Sequence, residues 1–549
     1  MSDTSSEKAE SEKAEDTMPE STPASADPQV LVVGAGPVGL TLAHELLRRG
    51  VRVRIVDTRT EPAVTSRAIA THPRTLEMYD QMGLVEEMLA RGQRIEAFTL
   101  HHGGRTLARL DADYSRMPTR YPFTLCIDQV KTEEVLRTAV HAAGAEVEWG
   151  VRLEEFEHDA DGVTVSLSGP DGPRQQRVAW LAGCDGGHST VRKKLGLTLL
   201  GESSETWLIA DADVVADLPR NSIHWVRTDG VTMMMVPMST PGRWRLLDTE
   251  SREHDSRPAS VANRFSRALS RGLGRTVKVA KPSWISVFTF QQRMITEMRS
   301  GRCLLAGDAA HVHSPASGQG MNTGIQEAFN LAWKLAMVLH GQAEPALLDS
   351  YSAERVPVGR ALLQSTKGAT FLVQLKNSLA DIALPIVFTA VRTVSPLRGA
   401  IQRRVLGGVS GLRLAYPDSP LTFPGASRRG RTGPLPGSRV TAVSLPEDPA
   451  AHDTLTEQLR RPGWTLFAGA HAGEDAVRAV ASGHDWLDTR VLTGPDVRLA
   501  AALGIPGTGW MLVRPDGYVS ARGDRLGGAD SPAAALAAAT GRLRPALAS

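Results

Sequence analysis

Hydrophobic positions along the chain fall into three differently patterned stretches. The first opens with Val30–Val33, a short unbroken apolar run such as a strand buried on both faces requires. Leu40–Arg49 follows with helical spacing and stops at Gly50, and Val51–Val56 is a second short apolar run, so this segment predicts one β-α-β unit. Helices are predicted over Arg74–Leu89 and Gln129–Ala143, and Val178–Cys184 reads as another buried strand. From about 205 to 295 the pattern changes to short apolar stretches separated by turns: Trp207–Val215, Ile223–Thr228, Thr232–Pro237, Trp244–Asp248 and Trp284–Phe290. That predicts a sheet with one face against protein and one against solvent. Arg302–Ala306 resembles a last strand of the first unit, with helices over Thr323–His340 and from Ala353 to about Val405. Residues 411–437 are rich in Pro, Gly, Ser and Arg, as in a linker. A third block then alternates short pieces at Arg439–Leu445, Thr454–Gln458, Trp464–Ala468, Glu474–Ala481, Met511–Arg514 and Tyr518–Ala521, with an alanine-rich helix at Ala533–Ala539. Arg514-Pro-Asp-Gly517 predicts the hairpin turn between its last two strands.

Composition narrows the class. The 549 residues carry 62 basic and 60 acidic side chains, a balance that argues against a nucleic-acid partner. Three cysteines, Cys126, Cys184 and Cys303, show neither CxxC nor metal-ligand spacing, so no metal site is expected and a reducing cytoplasm fits. Residues 1–28 repeat Ser-Glu-Lys-Ala-Glu and hold almost nothing apolar, which predicts a disordered acidic tail rather than a secretory signal. No run of about eighteen apolar residues occurs, so no membrane span is expected.

Two glycine-rich segments carry the chemistry. In the first, where Gly34, Gly36, Pro37 and Gly39 are the cofactor-binding candidates, Gly34 permits a tight turn, Gly36 admits a pyrophosphate to the backbone, and Gly39 lets the following helix pack on the strand. The helix N-terminus offers free N–H groups and a positive dipole. Asp57, at the end of the second strand, is placed to accept bonds from a ribose, and its charge disfavours a 2′-phosphate in this pocket. The second segment runs Gly307-Asp308-Ala-Ala-His311 and on to Ser317-Gly318-Gln-Gly320-Met321-Asn322. Asp308 is placed to bond polyol hydroxyls, and the helix opening after Gly318 would stabilise negative charge on a reduced flat ring. A dinucleotide gripped at both ends is most simply FAD.

With these segments and Cys184-Asp185-Gly-Gly-His-Ser-Thr-Val-Arg192, the chain resembles the aromatic flavoprotein monooxygenases of the para-hydroxybenzoate hydroxylase fold. The resemblance is greatest to the group acting on polyketides, phenols and antibiotics. It implies an α/β architecture: a Rossmann-type FAD-binding domain (29–204 and 296–410, with a helical extension), an inserted mixed β-sheet substrate domain (205–295), and a C-terminal thioredoxin-like α/β domain (411–549). The last has no cysteine and therefore no thiol chemistry, leaving a structural role or a homodimer contact. The resemblance also implies NADPH or NADH as transient co-substrate and O2 as the oxygen source. Aromatic hydroxylation through a C4a-hydroperoxyflavin is expected, with Baeyer–Villiger oxygenation of a polycyclic ketone, or a non-catalytic FAD-containing aromatic-ligand binder, as alternatives.

By the same resemblance Arg67 and Pro315 lie near the flavin ring, and Gln129 and Asp185 contact FAD. Ser317 stands where the family often has glycine. His311 and His313 read better as packed supports of the flavin loop than as a base. Arg192 is open between a phosphate and a carboxylate partner. Trp225, Met233, Met235, Phe288 and Phe290 are the candidates for contact with a large aromatic substrate, since thioethers and flat rings suit such a surface.

Overall fold

The computed structural model describes residues 27–111, 118–228, 231–249, 255–313, 318–373, 410–423, 432–443 and 449–541. The acidic tail, Pro315, Ser317 and the helix expected beyond 373 lie outside the described residues, and so does the side chain of Phe290.

The first unit is built on a six-stranded sheet ordered Arg299–Ser300, Cys303–Leu305, Trp180–Gly183, Val30–Val33, Val53–Asp57, Val147–Trp149. All pairs are parallel except the edge pair of Arg299–Ser300 with Cys303–Leu305. Val30–Val33 lies in its middle with every side chain buried, which is why its sequence does not alternate. The helix Pro37–Leu47 packs against the helices Gln129–Ala142 and Gln319–Leu339. A three-stranded antiparallel meander, Arg152–His158, Val163–Gly169 and Gly172–Val178, precedes the Trp180–Gly183 strand. It was not expected, although Val163, Val165 and Leu167 of its middle strand alternate with polar residues and are buried.

The large sheet runs His311–Val312, Trp284–Met294, Leu200–Val215, Arg243–Asp248, Val231–Pro237, Ser222–Thr228, Ala97–His102, Arg105–Asp111. It takes two strands from well before residue 205. Ala97–His102 joins it as a parallel neighbour of Ser222–Thr228. One face is covered by the helix Pro258–Leu273, whose Val261, Phe265 and Leu269 repeat every four residues and are fully buried. That helix ends on Gly274 in the left-handed region. The other face looks toward Ile69, Ile95 and Cys126 of the first unit.

The C-terminal block holds a four-stranded sheet ordered Leu487–Leu492, Trp464–Gly469, Trp510–Val513, Val519–Gly523. The first pair is parallel and the other two antiparallel. The expected turn is present: Gly517 has φ +78° and its N–H donates to the Arg514 carbonyl at 2.9 Å. The expected linker behaves as a strap. Ser410, Leu412, Tyr416 and Leu421 are buried, and the Phe423 N–H donates to Ser520 O.

A buried polar cluster joins this block to the first unit. Arg514 donates to both oxygens of Glu354 (2.5 and 2.9 Å) and to both of Asp516 (3.0 and 2.5 Å). Lys334 bonds Glu354 at 2.8 Å. Burial pushes the Lys334 ammonium down to about 8, with Glu354 opposing the shift. Arg439 forks onto Glu77 at 2.7 and 2.8 Å. The Trp333 and Trp464 rings meet edge to face at 5.5 Å.

Candidate functional site

The first glycine segment forms the turn its spacing predicts. Gly34 has φ +104°, and a Cβ there would collide with the Cys184 carbonyl; one on Gly39 would collide with the Gly34 carbonyl. Gly36 differs, because a Cβ added to it meets nothing within 4 Å. Packing explains the first and third glycines, and the open space at the second leaves the backbone free to be approached. The helix behind it has no side-chain cap and no acid in its first turn, so its N–H groups stay available for an anion. Asp57 braces this turn: Oδ2 accepts from the Ala35 N–H at 2.8 Å and Oδ1 from the Arg59 N–H at 2.9 Å. The Arg59 guanidinium also bonds Asp57 and lies 3.7 Å from Glu133. Sequence reading missed Arg59, although a cation two residues after the acid was there to be seen.

The second segment lies across the sheet. Gly307 has φ +63° and starts a short 3₁₀ turn, Gly307–Ala309, from which the Asp308 side chain projects. Solvent reaches Asp308, although protein crowds around its carboxyl. Burial therefore raises its pKa, and His311 and Arg67 oppose the rise. Gly318 caps the helix Gln319–Leu339 in the left-handed region; a Cβ there would press on Ala70 Cβ at 2.8 Å. This helix too has no side-chain cap and no acid in its first turn. Gly318, Gly320 and Met321 are all half-buried at its mouth.

Several expected contacts go to protein groups. The Asn322 amide donates to Ala70 O (2.8 Å) and Gly318 O (2.7 Å) and accepts from the His72 N–H (2.9 Å), tying the second segment to the Ala70–Thr71 strand. Asp185 accepts from Ser189 Oγ (2.5 Å) and from the Thr190 and Val191 N–H groups. The Asp185 carboxylate acts electrostatically on Arg192. Arg192 donates to the carbonyls of Ala309 (3.1 Å) and Gly187 (2.9 Å), lacing the Asp185–Gly187 segment to the Gly307 turn. His311 bonds Glu327 at 2.6 Å and stacks on His313 at 4.6 Å, both rings buried, in keeping with a support role. Burial holds His313 well below the usual imidazole range, with His311 adding to the shift.

Arg67 is exposed on a strap fastened from three sides. Gln129 Oε1 accepts from the Ala68 N–H at 3.0 Å, and Ser66 Oγ accepts from the Val130 N–H at 3.2 Å. Arg245 of the large sheet donates to the carbonyls of Ser66 and Arg67, both at 2.5 Å. Arg245 is held in turn by two 2.8 Å bonds to Asp211 on the neighbouring strand. Neither residue was expected. The available signal was two charges of opposite sign at apolar-phase positions of the predicted sheet.

The substrate candidates divide by strand phase. Trp225 and Phe288 lie on the face toward Arg67, with Trp207, Met234, Trp284 and Leu247. Met233 and Met235 do not. Both point to the opposite face, packed with Trp244, Val261 and Phe265 under the helix. In a strand, residues i and i+2 share a face, so Met233 and Met235 lie together under the helix, and Met234 is the thioether on the face toward Arg67.

No group of three or more His, Cys, Asp or Glu with metal-binding geometry occurs among the described residues. None of the described helices is long and apolar enough to cross a membrane.

The comparisons agree with this geometry. The family described as FAD binding domain matches residues 27–366, and the aromatic-ring hydroxylase C-terminal family matches 433–543. A 6-methylpretetramide 4-monooxygenase of Streptomyces rimosus is 49% identical over 513 residues, 91% of each chain. An anhydrotetracycline hydroxylase structure from Streptomyces rimosus superposes with TM-score 0.73 at 30% identity, covering 93% of this chain and 99% of that one. Aklavinone-11 hydroxylase, solved with FAD and aklavinone, gives TM-score 0.70 at 25% identity over 94% of this chain and all of that one. Two helix N-termini without side-chain caps, an unobstructed Gly36 and an exposed Asp308 suit FAD, and the chain belongs to the FAD-dependent aromatic-ring monooxygenases.

Proposed function

We propose that this enzyme hydroxylates a flat polycyclic aromatic compound of the polyketide type, with NADPH or NADH and O2 as co-substrates. The observation that carries the reading is the wall of Trp207, Trp225, Met234, Trp284 and Phe288 on the sheet face that looks toward the Arg67 strap. Wide, rigid, mostly apolar surfaces of this kind bury fused rings well. The relatives named above carry 6-methylpretetramide, anhydrotetracycline and aklavinone in their descriptions, which supports a fused-ring phenol.

Bound FAD supplies the oxygen activation. The chain's contribution is placement and shielding. The Gly34–Gly39 turn and its helix would take the pyrophosphate, Asp57 and Asp308 would take hydroxyls, and the N-terminus of the Gln319 helix would stabilise negative charge on the reduced ring. Gln129 and Asp185 hold the loops that line this cleft. The apolar wall excludes water from the space between ring and substrate. We also read the C-terminal block as a cysteine-free thioredoxin-like domain, on the strength of its βαβ-then-ββα order.

The test is NADPH consumption with a panel of tetracyclic phenols, with products identified by mass and NMR. Stimulated consumption and a product bearing one new ring hydroxyl are expected. An ester or lactone product, or no stimulation by any polycyclic phenol, would overturn the proposal.

A further inference from the structure

We propose that Arg355 and Tyr416 are positioning residues, through which the strap and the C-terminal block set the flavin-side turn at Gly307–Asp308. The starting point is Glu327, fully buried on the Gln319–Leu339 helix. Its Oε2 accepts from the Gly307 N–H at 2.9 Å, and its Oε1 meets His311 Nε2 at 2.6 Å. Those two bonds fix the ends of the turn from which Asp308 projects. A buried carboxylate needs a cation as well as donors, and Arg355 Nη2 stands 3.8 Å from Glu327 Oε1.

Arg355 is itself fully buried and is held from elsewhere. It donates to the Tyr416 hydroxyl at 2.8 Å and to the Thr323 carbonyl at 3.2 Å. Tyr416 sits in the strap and is knitted to the C-terminal block. Its N–H donates to Gly437 O at 2.8 Å, its carbonyl accepts from Thr422 Oγ1 at 2.7 Å, and its ring lies 4.6 Å from that of Tyr518. A continuous line of contacts therefore runs from Tyr518 through Tyr416, Arg355 and Glu327 to Gly307 and His311. It gives a cysteine-free domain a part in flavin binding without a residue near the ring. The inference rests on FAD as cofactor and not on the proposed substrate.

Ser419 provides the control. Its hydroxyl bonds Glu354 Oε1 at 2.5 Å in the same interface, outside the line from Tyr416 to Glu327, and only its backbone N–H reaches the Tyr416 carbonyl, which the substitution leaves in place. The experiment measures FAD binding to flavin-stripped Tyr416→Phe, Ser419→Ala, Arg355→Met and Arg355→Lys proteins by fluorescence titration, alongside melting of the same FAD-free proteins. Losing one hydrogen bond in the line weakens FAD binding about three- to tenfold in Tyr416→Phe. Arg355→Met weakens it further, Arg355→Lys recovers part, and Ser419→Ala binds FAD as the parent does, although both interface variants melt earlier by similar amounts. Equal FAD affinity in Tyr416→Phe and Ser419→Ala overturns the proposal, and so does parental affinity in Arg355→Met. If Arg355→Met does not fold, the Tyr416→Phe and Ser419→Ala pair decides.

Discussion

The two faces of the large sheet are both apolar and both largely buried, yet they differ in what they can do. The helix-side face packs Met233, Met235, Trp244 and Leu246 against Val261, Phe265 and Leu269, so each side chain already has its partner. The flavin-side face carries Trp225, Trp284 and Phe288, which stay only partly covered, and a charged pair, Asp211 with Arg245, reaching across to another part of the chain. Burial alone therefore does not identify a binding wall. Incomplete burial of large flat side chains, beside a polar group that links out of the sheet, does.

The largest effect that would break this contrast is at the charged pair. Asp211→Ala leaves Arg245 buried with its charge unmatched, and removing one partner of such a pair costs about 3–5 kcal/mol. Urea unfolding would read this as a lower midpoint at an unchanged slope. Because Arg245 also holds the Ser66 and Arg67 carbonyls, FAD affinity should fall in the same variant. A midpoint shift without a change in FAD affinity would reduce the pair to a packing feature of the sheet.

Met233→Ala is next in size and sharpens the contrast from the other side. Truncating this buried thioether should cost about 2–5 kcal/mol in transfer and cavity terms. KM for a polycyclic phenol should stay near that of the parent, because the side chain faces the helix. Trp225→Ala should do the reverse, raising KM with a smaller loss of stability. Thermal unfolding and steady-state kinetics on the two variants decide the matter, and a KM that rises in Met233→Ala would reverse the assignment of faces.

What could be read in advance follows the same logic. The Gly34–Gly39 turn and Asp57 were legible because their geometry is local: a strand, a tight turn and a helix fix every spacing within about thirty residues. The Gly307–Asp308 and Gly318–Asn322 segments were recognisable as motifs, but their supports were not. Glu327, Arg355 and Tyr416 come from separate elements, and Asn322 ties to Ala70 and His72 some 250 positions away. The sheet was legible as alternation, and alternation does not say which phase meets the cofactor. That is why Met233 and Met235 were chosen over Met234. The strap at 410–423 read as a linker because Pro and Gly mark irregular backbone, and irregular backbone can be buried when its carbonyls find donors, as Leu412 O does from Arg439 at 3.0 Å.

The smallest expected effect lies on the helix-side face and concerns pH. His224 Nε2 bonds the Pro219 carbonyl at 2.8 Å, so that nitrogen carries the proton and Nδ1 must accept from His101 Nε2 at 3.0 Å. His101 Nδ1 faces the Thr106 hydroxyl at 3.4 Å. This wiring needs His224 neutral, since a proton on its Nδ1 would set two N–H groups against each other, and a proton added to His101 would meet only the Thr106 hydroxyl. Burial accordingly pushes His101 down to about 4, with His224 and Arg275 adding to the shift. The unfolded chain takes up a proton near pH 6.5 and the folded one near 4, so stability is complete above about 6.5 and is lost as pH falls through that window, at about 1.4 kcal/mol per unit at most. Urea midpoints measured from pH 7 to 4.5 should show this slope, and His101→Gln, which can still donate to His224, should flatten it. An unaltered slope in that variant would move the acid sensitivity in this window to His313, whose buried ring is also held well below the usual imidazole range, because the carboxylates of the domain interface, Glu77 and Glu354, act outside it. Both are held below their ordinary range by Arg439, Arg514 and Lys334 against the opposing effect of burial, so they would lose their contribution only at lower pH, from about 4.5 downward.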